Sequence, residues 1–354
     1  MGSLEDKVFG CLAASQIGSA MGAPCEGWDW QRVEKTHGRI EGLLPYEHYD
    51  NGWMREAGTT EDGIERQRVF LRAIRRAGGR IRPDDVAAVW REEVDGEHAA
   101  WCMEPFDRFL IGLARADVPA VRIGSFSPYT NLISLARSCH PLGLINAGDP
   151  EQAWRDVHYV GLVLQAPTGI GMDWAGLVAG TIAAACSPGA TLESALEAGL
   201  APVGPHLRRE VERAVEVAAK ADDMPSMREA FEHIYAGYGI PYGMAYANEI
   251  TSKGIAVASK FGSSLRDTLI AAVNFGRDTD CLAAISGGIA GAVNGPADLP
   301  EEWIAQVDHA TANNPHTCLR LTLAQMAGIV TDGLRAEMKR AGERAAALRQ
   351  AFGE

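Results

Sequence analysis

Apolar residues recur at helical spacing along almost the whole chain, and alternating strand-like runs are scarce. Leu4, Val8, Cys11 and Leu12 open the pattern, Ile64, Val69, Leu71 and Ile74 continue it, and Val86, Val89 and Trp90 follow a start signal at Pro83. Such spacing collects apolar side chains on one face of an α-helix, which must then be covered by another element. The same reading predicts helices from about Pro150 to Leu164, Asp173 to Cys186, Pro205 to Ala221, Met244 to Lys260, Asp280 to Val293 and Leu319 to Phe352, with Pro188-Gly189 and Pro300 as breaks. The fold expected is all-α. The chain has 354 residues, 47% of them hydrophobic, with no repeat of fixed period and no low-complexity linker. One domain spanning residues 1–354 is therefore the simplest organisation, with Met1-Gly2-Ser3 read as an expression remnant. Between Asp117 and Asp149 the closely spaced Pro119, Gly124, Pro128, Pro141 and Gly148 predict a long irregular connection, a kind of segment that often carries function.

Composition removes several classes of function. A formal net charge of −13 argues against broad binding to nucleic acid or to an anionic membrane, both of which need a basic surface. Seven scattered cysteines without a C-x-x-C pair predict reduced thiols in a cytoplasmic protein rather than a disulfide framework. Glu5, Asp6 and Lys7 interrupt any N-terminal signal-like run, and the most apolar small-residue stretch, Cys281 to Val293, is too short to span a bilayer. A soluble protein without nucleic-acid or membrane partners is expected.

Two acidic clusters lie far apart in the chain, Thr59-Thr60-Glu61-Asp62-Gly63 and Gly276-Arg277-Asp278-Thr279-Asp280-Cys281, and each opens a predicted helix. If the two helix N-termini meet, they build an oxygen-rich pocket suited to a hard cation such as Mg²⁺ or Mn²⁺. Within a regular helix, residues two apart point roughly 200° away from each other, so Asp278 and Asp280 can face one ion only from a loop turning into a first turn. The competing explanation is ordinary helix capping, in which side-chain oxygens accept bonds from exposed backbone N–H groups. Two features favour the pocket. Glu26 lies just past a Gly/Pro turn that ends a small-residue helix, and Ala283, Ala284, Gly287, Gly288, Ala290 and Gly291 would let another helix backbone come close.

Together, Gly18-x-x-x-Gly22-x-Pro24-x-Glu26, Thr60-Glu61-Asp62, and Asn274-Phe275-Gly276-Arg277-Asp278-Thr279-Asp280 followed by a Gly/Ala helix resemble the ADP-ribosylglycohydrolase family, which includes the dinitrogenase-reductase-activating glycohydrolases. The resemblance runs from about Leu4 to Gly295. It implies an orthogonally packed all-α fold with one or two Mg²⁺ or Mn²⁺ ions in a central cleft, and hydrolysis that releases an ADP-ribosyl group from a protein side chain or related acceptor. Carried over by residue, Thr60, Glu61 and Asp62 would supply one half of the metal site, and Asp278, Asp280 and Cys281 the other. Glu26 would be the catalytic carboxylate. Trp28, Trp53, Arg137, Gly276 and Arg277 are the expected substrate-binding residues.

The chain departs from the family pattern at three places. The usual Thr-Asp-Asp-Thr is Thr60-Glu61-Asp62-Gly63, the usual hydroxyl after the second aspartate pair is Cys281, and Arg137-Ser138-Cys139-His140-Pro141-Leu142-Gly143 only approximates the Gly-Asn-Gly substrate loop. A thiol is a soft ligand for a hard ion, which predicts that one metal position is weak or empty. Trp28, Trp30 and Trp53 are candidates to stack on a base, although aromatics more often serve packing. His140 and His158 lack zinc spacing, no Gly-x-Ser-x-Gly elbow is present, and the Arg335 to Arg349 tail reads as a solvated helix face. The nearest expected substrate is an ADP-ribosylated protein or metabolite. Another small ribosylated or nucleoside-like substrate, or a binding or structural protein on the same fold without turnover, stays open beside it.

Overall fold

In the computed structural model, which describes residues 2–48, 51–235 and 244–353, the first helix, α1 (Leu4–Gly22), lies at the centre of the molecule. From Lys7 to Gly22 every residue but Phe9 is buried, so α1 has no polar face. Its charged and polar groups are satisfied locally. Ser3 caps the helix in a reciprocal box with Asp6, and the Lys7 ammonium donates to the carbonyls of Ala185 (2.6 Å) and Ser187 (3.2 Å). Ser3 therefore has a structural role, whatever its origin; Met1 lies outside the described residues.

Around α1 the chain forms α2 (Trp30–His37), α3 (Asp62–Ala77), α4 (Pro83–Glu92), α5 (Gly96–Cys102), α6 (Pro105–Arg115), α7 (Ala120–Ile123), α8 (His140–Leu144), α9 (Pro150–Val160), α10 (Gly171–Ala185), α11 (Leu192–Leu200), α12 (Pro205–Lys220), α13 (Met224–Tyr235), α14 (Ala247–Phe261), α15 (Leu265–Val273), α16 (Thr279–Asn294), α17 (Glu301–Asn313) and α18 (Leu323–Phe352). A small antiparallel hairpin, β1 (Tyr46–Glu47) and β2 (Met54–Arg55), precedes α3, with Tyr46 opposite Arg55. The all-α expectation holds. Buried apolar side chains from Val8 in α1 to Val330 in α18 form one contiguous core.

The predicted helix starts at Met244 and Leu319 shift to Ala247 and Leu323. Thr322 and Gln325 form a capping box that fixes the start of α18. The Pro150 helix ends at Val160 and continues only as a 3-10 turn, Gly161–Val163. Short helices such as α2, α11 and α15 escaped the periodicity reading because eight or nine residues give too few turns to establish a face. The irregular 117–149 connection contains α7, α8 and two 3-10 turns.

The arrangement of the site rests on the packing of α16 against α1. Each lays its small residues on the other, so the backbones touch. A Cβ at Gly291 would come within 2.3 Å of the Gly10 carbonyl oxygen, and a Cβ at Gly22 within 2.5 Å of the Asp280 nitrogen. The Thr279 hydroxyl donates to the Gly22 carbonyl at 2.8 Å, tying the start of α16 to the end of α1. Among the described residues no helix is long and apolar enough to cross a membrane. All seven cysteines are free thiols, six of them buried.

Candidate metal centre and active site

Asp278 is the N-cap of α16, yet its carboxylate makes no capping hydrogen bond. Glu61 is likewise the N-cap of α3 and likewise leaves the capping role unfilled. Elsewhere in the chain Ser3, Asp29, Asp149, Thr191, Ser264 and Thr322 do accept the expected backbone N–H. The acidic clusters therefore sit at helix N-termini, where the dipole favours negative charge, without acting as caps. Asp278, Asp280 and Cys281 each place a ligand atom within 4.8 Å of the others. Asp278 and Asp280 are both 1% exposed, and the Oδ1 atom of each is buried with no hydrogen-bond partner. The hydroxyl of Thr60, 3% exposed, is also buried and unpartnered. Orphaned buried oxygens are costly unless a ligand supplies their missing partner. This set of hard oxygen donors fits a divalent cation of the Mg²⁺ or Mn²⁺ type.

The α3 side is already supplied with cations. The Asp62 carboxylate accepts from Arg137 and lies 2.9 Å from Arg66. Arg66 in turn forks onto Asp107 at 2.7 and 3.3 Å, and Arg137 reaches Glu104 at 3.0 Å. Glu61 accepts from the Tyr46 hydroxyl, lies 4.0 Å from Arg55 and has His48 Nε2 at 3.4 Å. The β-hairpin supplies all three partners. The Glu61 backbone N–H is fixed to α1 by a 3.2 Å bond to the Ser19 hydroxyl.

The electrostatics follow from this crowding. Burial raises Asp280, the nearby Asp278 raises it further, Arg137 opposes, and the carboxyl settles at about 8. Burial likewise lifts Asp62 to about 8 against the pull of Arg137 and Arg66. For Glu104 burial also pushes upward, but the same two arginines prevail and bring it down to about 2. Glu26 is held well above the usual carboxylate range, first by burial and then by Asp280, Asp278, Glu61 and Asp62. Glu26, His48 and Glu61 each place a ligand atom within 4.8 Å of the others, and the charge of Asp278 and Asp280 also acts on Glu26. His48 lies between Glu26 (3.6 Å to Nδ1) and Glu61, and burial lowers its imidazole below its ordinary value.

The other sequence candidates fall in different surroundings. Arg137, expected at a substrate loop, is 4% exposed and lies between the two clusters; it donates to Cys281 Sγ at 2.9 Å and lies 3.8 Å from Asp280. Gly276 and Arg277 form a turn with φ of 84° and 67°, and a Cβ on Gly276 would meet the Trp30 nitrogen at 2.7 Å. The Arg277 backbone pairs with Trp28, while its guanidinium forks onto buried Glu249 at 2.7 and 2.9 Å. Trp28 stacks on His37 under the Arg32 guanidinium. Trp30 donates to Glu232 at 2.5 Å and carries Arg228 over its ring. Trp53 packs edge-on against His316, which stacks on the partly exposed Trp101, and Arg55 covers its ring. Tyr46, His48, Arg55, Arg66, Glu104 and Asp107 were missed in the sequence. Of these only Glu104 and Asp107 carried a recognisable signal, as a capping pair around Pro105 that starts α6.

Comparison with known proteins gives the fold and the family. The chain is 26% identical over 310 residues to an uncharacterised protein of Archaeoglobus fulgidus, covering 85% of this chain and 91% of that one. Its fold superposes on a solved ADP-ribosylglycohydrolase-related protein complex with a TM-score of 0.60 at 16% identity, over 95% of this chain and 99% of the other. The ADP-ribosylglycohydrolase family model matches residues 1–342, and the chain belongs to that family.

Proposed function

We propose that this chain is a divalent-metal-dependent hydrolase that cleaves a ribosyl glycosidic bond, with an ADP-ribosylated protein or metabolite as substrate. The observation that carries the reading is the convergence of Glu26, Glu61, Asp62, Asp278 and Asp280 from three separate segments, with the Thr60, Asp278 and Asp280 oxygens buried and unpartnered. Thr60, Asp278 and Asp280 would hold the ion, with Glu61 and Asp62 beside it. When bound, Mg²⁺ or Mn²⁺ would supply Lewis-acid orientation of ribose hydroxyls and of water. Glu26 takes a proton from the attacking water as the new C1″–O bond forms, and a proton passes from it to the leaving group as the old C1″ bond breaks. A carboxyl held above its usual range suits both transfers. His48, in reach of Glu26 and Glu61, orients the two carboxyl groups relative to one another. The Trp53, His316 and Trp101 cluster, joined to Glu61 through Arg55, offers a surface on which a base can stack.

One observation favours the reading without turnover: Arg137 fills space between the clusters that substrate or a further ion would otherwise use. The two separate in a direct assay. The purified protein is incubated with ADP-ribosylated proteins and small ADP-ribosyl compounds in Mn²⁺ or in EDTA, and released ADP-ribose is measured by mass spectrometry. Release in Mn²⁺ that disappears in EDTA and in Glu26→Gln is expected. Metal-loaded protein that releases nothing from any of these substrates overturns the enzymatic reading.

A further inference from the structure

Arg137 is built into the site. Its carbonyl accepts from Gln67 Nε2 at 2.9 Å, and the Gln67 side chain is further held by Ser15 of α1. Its stem packs on the first turn of α3 at Gly63, where a Cβ would come within 2.6 Å of Arg137 Cδ and 2.9 Å of Cγ. Any larger residue at position 63 competes with the arginine for that space. The guanidinium donates to Asp62, Glu104 and the Cys281 thiol, and it approaches Asp280 Oδ2. It thus touches one acidic residue from the α3 cluster and two residues from the α16 cluster. A planar fork of donors with permanent positive charge suits such a position, because it satisfies several acceptors and does not lose its proton.

The oxygens near these two helix starts divide into two sets. Asp62 and Cys281 are engaged by Arg137. Thr60 Oγ1, Asp278 Oδ1 and Asp280 Oδ1 are buried without any partner. Cys281 is a poor ligand for a hard cation, and its Sγ accepts from the Arg137 guanidinium at 2.9 Å instead. We propose that Arg137 is a resident protein cation that takes the place of one metal ion, so that the site binds a single divalent cation on its Thr60, Asp278 and Asp280 side. The inference rests on the metal-dependent reading above and deepens it. Arg137 is a positioning residue in this account. It fixes Asp62 and Cys281 and, by its charge, excludes a second ion from their side.

The test counts ions, not turnover. Mn²⁺ is titrated into the full chain by calorimetry, and electron paramagnetic resonance distinguishes isolated Mn²⁺ from a coupled pair. The wild type is expected to take one Mn²⁺ per chain and give an uncoupled signal. Arg137→Met, which keeps the apolar stem and removes the charge, is expected to take a second equivalent and to bind the first about tenfold more tightly or better. If Arg137→Met does not fold, Gly63→Ala displaces the guanidinium without deleting it and gives the same change in stoichiometry. Arg137→Lys, which retains the charge, stays at one ion. A wild type that binds two coupled Mn²⁺ ions overturns the inference and leaves the metal-dependent reading intact. A folded Arg137→Met that still takes one ion with unchanged affinity also overturns it. Failure of the wild type to bind any Mn²⁺ removes both.

Discussion

Gly22→Ala adds one methyl group where the last turn of α1 touches the first turn of α16. The new Cβ would lie 2.5 Å from the backbone of Thr279 and Asp280, against the roughly 3.5–4.0 Å at which carbon atoms normally rest. Its obstacle is backbone held by the 2.8 Å bond from Thr279 to Gly22, so no side chain can rotate away. The start of α16 must move by about 1 Å, and Asp278 and Asp280 move with it. The overpacking is expected to cost about 1–3 kcal/mol of stability. Function should suffer more, since a 1 Å displacement of reacting groups costs about 10²-fold in rate. Gly112→Ala provides the control, because Gly112 lies inside α6 with nothing within 4 Å of its added Cβ. There the same substitution should stabilise by about 0.5–1 kcal/mol through helix propensity and leave the site untouched. Urea denaturation gives the stabilities and calorimetric Mn²⁺ titration reports the site. If Gly22→Ala binds Mn²⁺ like the wild type, the backbone contact does not position the aspartates and the reasoning fails.

Further outcomes are expected from single changes at the site and beside it. Asp278→Asn and Asp280→Asn should each weaken Mn²⁺ binding by more than the roughly 10–100-fold that loss of an outer partner costs, while raising the melting temperature of the metal-free protein by relieving the clash of facing carboxylates. Unchanged affinity in both would return them to a structural role. Glu26→Gln should keep Mn²⁺ affinity and lower turnover by roughly 10²-fold or more, and near-normal turnover removes Glu26 from the mechanism. Burial pushes the His140 imidazole down to about 4, from 6.5 when unperturbed. The unfolded chain therefore binds a proton that the folded chain refuses between these values. Stability from this group is complete above pH 6.5, falls as pH drops towards 4, and declines by about 3 kcal/mol in all. His140→Gln should flatten that part of the stability profile measured by urea denaturation; an unaltered slope would show that other groups produce it.

The grouping of acidic residues at the start of α16 was the more legible part of the candidate site. Asp278 and Asp280 precede a run of glycines and alanines, and that run signals a close backbone approach, which is how α16 meets α1. The α3 side was less legible. Arg66, Arg68 and Glu65 look like the solvated face of a charged helix, yet all three are at most 2% exposed, because Asp107, Thr311, Thr317 and each other pair with them. Charge in a sequence records solubility only when its partners are unknown; a buried pair comes from residues brought together by the fold. The Tyr46–Arg55 hairpin was invisible because strands of two residues show no alternation. Arg137 stood out only through resemblance to a substrate loop, and nothing local marked it as the cation between the clusters. The acceptors that define its role come from α3, α16 and the turn before α6.

Anomalous diffraction from crystals grown with Mn²⁺ tests the central claim most directly, since it locates the ion without assuming a substrate. The account predicts one Mn²⁺ peak bounded by Thr60, Asp278 and Asp280, with the Arg137 guanidinium still on Asp62 and Cys281. A peak instead among Asp62, Glu104 and Asp107, or no peak between the starts of α3 and α16, would contradict it.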